Sequence, residues 1–72
     1  MDMQQWRDGR KTAEDATEAV REAFDALGVP EFVCGQLRPW VTHTGKPYVN
    51  LGMVPAEYAE RLAEALRLRA AR

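Results

Sequence analysis

Apolar residues return at spacings of three and four between positions 13 and 27, where Ala13, Ala16, Val20, Ala23, Phe24 and Leu27 line one side of a helix. Thr12 fits its N-cap with Asp15 three residues on, and Glu14 and Asp15 carry negative charge where the helix N-terminus favours it. Gly28 suits the left-handed position after the last turn, Val29 can fold back on Phe24, and Pro30 prevents continuation. The pattern predicts a helix over residues 13–27. A second 3-4 pattern, Ala59, Leu62, Ala63 and Leu66 with Tyr58 at its edge, follows Pro55 at a first helical position and Glu57 in the first turn. Glu57 and Arg61 are spaced to pair along that helix.

Between the helices the period changes to two. From Phe32 to Val54 the alternation predicts a β-hairpin whose turn lies at His43-Thr44-Gly45. A two-residue turn would force positive φ on β-branched Thr44, whereas a three-residue loop asks it only of Gly45. That loop pairs Thr42 with Lys46, so opposing positions sum to 88: Trp40 faces Tyr48, Arg38 faces Asn50 and Leu37 faces Leu51. Val33, Leu37, Val41, Val49, Leu51 and Met53 then share one face. Phe32, Cys34, Gln36, Arg38, Trp40, Thr42, Tyr48 and Asn50 share the other. Pro39 must turn its nitrogen away from the second strand, which makes the first strand a poor edge.

The fold class expected is α+β, a small two-layer α-β-β-α domain over residues 12–72. Residues 1–11 are polar and lack a long period, although Met3 and Trp6 would share a face if Asp2 capped a short turn ending at Gly9. They are expected to form a loosely ordered arm. A two-stranded sheet spans roughly 10 Å, about one helix diameter, so one hairpin face cannot cover two helices. Pairing of two second strands about a two-fold axis would give a four-stranded sheet wide enough for both, so a homodimer is expected. The alternative is a monomer with a helix on each face, which would bury Trp40.

A chain of 72 residues is one domain at most, with a marginal core. One cysteine, Cys34, permits no internal disulfide, and with the single His43 it cannot complete a zinc site. No cofactor is expected. No apolar run reaches secretory or membrane-spanning length, so the expected residence is the cytoplasm. The net charge of −1 conceals a gradient. Residues 1–31 hold eight acids against four bases, and residues 32–72 six bases against three acids.

Catalysis would need a nucleophile with a positioned base, and Cys34 and His43 lie nine residues apart on one predicted strand, up to about 30 Å. Nor is His43-Thr44-Gly45-Lys46 a phosphate loop, since it joins two strands and Pro47 follows the lysine. The chain is therefore expected to be a non-enzymatic interaction module. Its partners would be a second copy and an unidentified protein, held by Arg38, Trp40, Tyr48 and Asn50 or by the edge of the second strand. The alternative is nucleic-acid binding, with the hairpin aromatics stacking on bases and Arg38, Lys46, Arg67, Arg69 and Arg72 reaching phosphates.

Overall fold

The computed structural model describes residues 3–71. Its elements are α1 (Met3–Ala26), the single turn α2 (Glu31–Cys34), β1 (Arg38–Val41), β2 (Pro47–Asn50) and α3 (Ala56–Ala70). The α+β class expected from the pattern is present, as a long helix, a two-stranded antiparallel sheet and a C-terminal helix.

α1 starts ten residues before the expected Ala13, so residues 3–11 are helix rather than a loose arm. The Asp2 cap expected there lies outside the described residues. Two effects carry the helix through Gly9 and Thr12. On the exposed side, Gln4 with Asp8 (2.9 Å), Arg10 with Glu14 (3.2 Å) and Lys11 with Asp15 (2.9 Å) join successive turns at i,i+4. Asp15, by its hydrogen bond first and its charge second, raises the pKa of the Lys11 ammonium above its ordinary 10.5. On the other side the hairpin supplies packing: Gly9, Ala13 and Thr17 are buried at i,i+4, a small-residue seam that lets the sheet approach closely. The Thr17 hydroxyl donates to the Ala13 carbonyl oxygen at 2.7 Å, which removes its buried polarity. The helix ends as the sequence predicts, with Gly28 at φ +79°. Gly28 N–H donates to the Asp25 oxygen at 3.0 Å and Val29 N–H to the Phe24 oxygen at 3.0 Å.

The segment Phe32 to Cys34, expected as the start of a strand, is the helical turn α2. Val33 and Leu37 stand four apart, a spacing that satisfies a strand face and a helix face equally, and Cys34 distinguishes the two. A helical turn puts Cys34 inward beside Val33, and all three are buried with Phe24 and Val29. Phe32 points out.

The hairpin has the predicted register, with Arg38 opposite Asn50 and Trp40 opposite Tyr48. Thr42 N–H donates to the Lys46 oxygen at 3.0 Å, Gly45 N–H to the Thr42 oxygen at 2.9 Å, and Gly45 takes φ +90°. α1 lies across the face carrying Pro39, Val41 and Val49, all half-buried. The expected Leu37–Leu51 pair does not form, because the ladder stops at Arg38 and Asn50. Gly52 at φ +70° turns the chain, and Gln36 holds Met53 through its Nε2 to the Met53 oxygen (2.9 Å). Leu51 and Met53 are therefore exposed rather than inward, Met53 at 86%.

With α1 occupying the only inner face, α3 is displaced. It leans on the core through Tyr58 and Leu62, with Val54 just before it, and buries no residue fully. Pro55 stands at its N-cap rather than its first helical position. Arg61 lies over the Tyr58 ring at 5.4 Å, and no Glu57–Arg61 ion pair forms among the described residues. No described helix is long and apolar enough to cross a membrane.

Candidate functional site

Alternation along β1 and β2 sends Arg38, Trp40, Tyr48 and Asn50 to the face opposite α1, where all four are exposed. Trp40 and Tyr48 sit directly across the ladder and retain 59% and 48% of their accessible surface. With Thr42, Val49 and Asn50 they line an open depression of about 500 Å³. Lys46 Nζ stands 5.7 Å from the centre of the Tyr48 ring, close enough for a cation–π contact at one end of the depression.

The four expected interaction residues divide into two kinds. Trp40 and Tyr48 present their rings to solvent. Arg38 instead turns back along the chain, its Nη1 donating to the Gly35 oxygen and, at 2.9 Å, to the Leu37 oxygen. It satisfies carbonyls at the end of the helical turn. Asn50 Oδ1 accepts the Gly52 N–H at 2.8 Å, so its carbonyl end shapes the turn after β2. All three bonds are local, and a strand pattern alone cannot reveal them.

The basic residues do not converge. Lys46 is on the hairpin beside Tyr48, Arg67 pairs with Glu64 at 2.8 Å on α3, and Arg69 lines a groove between α1 and α3. Arg72 lies outside the described residues. Cys34 is buried, its Sγ 3.6 Å from the Val29 oxygen, while His43 is exposed in the turn beyond β1. Among the described residues no three His, Cys, Asp or Glu side chains form a group able to hold a metal ion.

The sheet edges follow from the register. Because Thr42 and Lys46 exchange a ladder bond, alternation directs the N–H and C=O of positions 38, 40, 42, 46, 48 and 50 between the strands. Positions 39 and 41 on β1, and 47 and 49 on β2, face outward. Prolines occupy an outward position on each strand, Pro39 as expected and Pro47 as well. The β2 edge, expected to be open, presents Val49 as its one outward N–H within the strand.

A second surface escaped the sequence analysis. Ala23 and Ala26 of α1, Leu27 just after it, and Leu62, Ala65 and Leu66 of α3 line an apolar groove of about 810 Å³. Its signal was the width argument, since a hairpin that covers one helix leaves the other's stripe uncovered. No protein-family model, curated protein or solved structure matches the chain.

Proposed function

We propose that this chain is a non-enzymatic protein–protein interaction module whose recognition surface is the outer face of the hairpin, centred on Trp40 and Tyr48. The observation that carries this reading is the exposure of two directly opposed aromatic rings on a sheet whose other face is already covered by α1. Aromatic side chains bury 150–250 Å² each, so covering the exposed half of both would yield on the order of 5 kcal/mol before the costs of association. Lys46 at one end favours a partner segment that carries an acidic or carbonyl group beside its apolar anchor.

Arg38 and Asn50 support this surface by fixing its backbone, and the direct contacts fall to Trp40, Tyr48, Thr42 and Lys46. Self-association through a four-stranded sheet is the weaker form of the same reading, because Pro47 removes one outward donor from the β2 edge. Nucleic-acid binding is weaker again: Arg38 and Arg67 are engaged within the chain, and the remaining bases sit on separate elements.

The test is capture from the native host with nuclease-treated lysate, comparing the wild-type chain with a Trp40→Ser/Tyr48→Ser variant. Wild type should retain a protein that the variant loses, while the variant's helical circular dichroism and melting stay unchanged. Equal capture by both chains, or retention of nuclease-sensitive material alone, would refute the reading.

A further inference from the structure

We infer that the outer face of the hairpin binds a proline-rich segment in the polyproline II conformation, with an acidic side chain about two residues from the docked prolines. The inference rests on the proposed function and adds to it the chemistry of the partner.

Hydrogen-bonding groups around the depression are unevenly free. Trp40 Nε1, the Asn50 amide nitrogen, the Tyr48 hydroxyl and the Lys46 ammonium donate a hydrogen bond to no described residue. The acceptors, by contrast, are occupied. Asn50 Oδ1 takes the Gly52 N–H at 2.8 Å, and Thr42 Oγ1 takes the Lys46 N–H at 3.0 Å while bonding the Thr44 hydroxyl at 2.9 Å. The backbone groups of positions 40, 42, 46, 48 and 50 turn into the ladder, and among the described residues no carboxylate lines the depression.

That imbalance selects the backbone of the occupant. An extended strand laid on this face would bring N–H groups that find no acceptor, and a helix has already bonded its carbonyls internally, leaving the donors unmatched. Proline has a carbonyl and no N–H, and polyproline II makes no internal hydrogen bonds, so its carbonyls are open to donors. Its apolar rings suit the exposed faces of Trp40 and Tyr48, opposed across the ladder. Two half-exposed rings offer little apolar area, so an occupant that had to order itself would gain little, whereas polyproline II is preformed. Charge places the acid. Lys46 Nζ lies 5.7 Å from the centre of the Tyr48 ring and has no ion-pair partner among the described residues. At ~3.1 Å per residue, that distance is about two residues along the segment.

NMR titration of the isotope-labelled chain with a capped hexaproline flanked by aspartates tests the inference. The peptide should move the Trp40 indole N–H signal, identified by its loss in Trp40→Ser, with a dissociation constant of roughly 0.1–1 mM. Replacing its prolines by alanine should weaken binding at least about tenfold. Asparagine in place of aspartate should weaken it about two- to fivefold, a preference that Lys46→Glu, at an exposed position, should abolish. An indole signal that does not move, equal binding of the alanine peptide, an aspartate preference that survives Lys46→Glu, or tighter binding of oligothymidine than of the proline peptide would each overturn the inference. Failure of the proline peptide while Trp40→Ser/Tyr48→Ser still loses a captured protein removes this inference alone. Equal capture by both chains, together with no peptide binding, removes the recognition face itself.

Discussion

Single residues decide how closely α1 and the hairpin meet. A Cβ built on Gly9 would overlap the Gly45 carbonyl oxygen and press on Val41 Cγ1. Gly45 cannot yield easily, because it holds φ +90° and its own hydrogen side faces the Gln5 backbone. Gly9→Ala gains about 1 kcal/mol of helix propensity, yet overpacking of a fixed backbone contact costs more, typically 1–3 kcal/mol. Urea denaturation should therefore show net destabilisation of up to about 2 kcal/mol, and an increase in stability would mean that the turn does not touch the helix. Gly9 reads in sequence as a helix breaker, whereas here it is the position that lets the helix continue under the sheet.

At the scale of elements, the hairpin was the most legible part. Positive φ was available at Gly45 and costly at Thr44, so turn chemistry alone set the register that places Trp40 opposite Tyr48. The outward prolines show how a hairpin left open at both edges avoids growing into a larger sheet. Pro39→Thr/Pro47→Thr restores two outward N–H groups and should produce concentration-dependent association with added β-sheet signal in circular dichroism. An unchanged sedimentation profile would show that the edges are protected by something else. α2 was illegible for a definite reason: Val33 and Leu37 fit either period, and only the packing of Cys34 under Phe24 and Val29 chooses the helix.

For the molecule as a whole, one covered sheet face and one displaced helix leave a flat body, 40 × 30 × 16 Å in its principal extents. Among the described residues the buried apolar core is Ala13, Phe24, Val29, Val33, Cys34 and Leu37. Such a core is marginal by itself, so each fully buried side chain carries a large share of the stability. Leu37→Ala, which empties one of the two largest fully buried positions, should accordingly cost about 2–5 kcal/mol in urea denaturation. An unchanged denaturation midpoint in that variant would show that this cluster does not hold the fold together.

The sequence by itself determined the features that depend on local covalent and turn chemistry: the Gly28 stop, the loop at Gly45, the register, and the face that carries Trp40 and Tyr48. Tertiary structure decided what local preference leaves open. It extended α1 back to Met3 because the hairpin turn packs on Gly9, folded Val33 and Cys34 into a helical turn, and drew Arg38 and Asn50 into backbone bonds. It also chose which face of the hairpin α1 covers, since the small-residue seam of Gly9, Ala13 and Thr17 lets α1 close onto the side of the sheet carrying Pro39, Val41 and Val49.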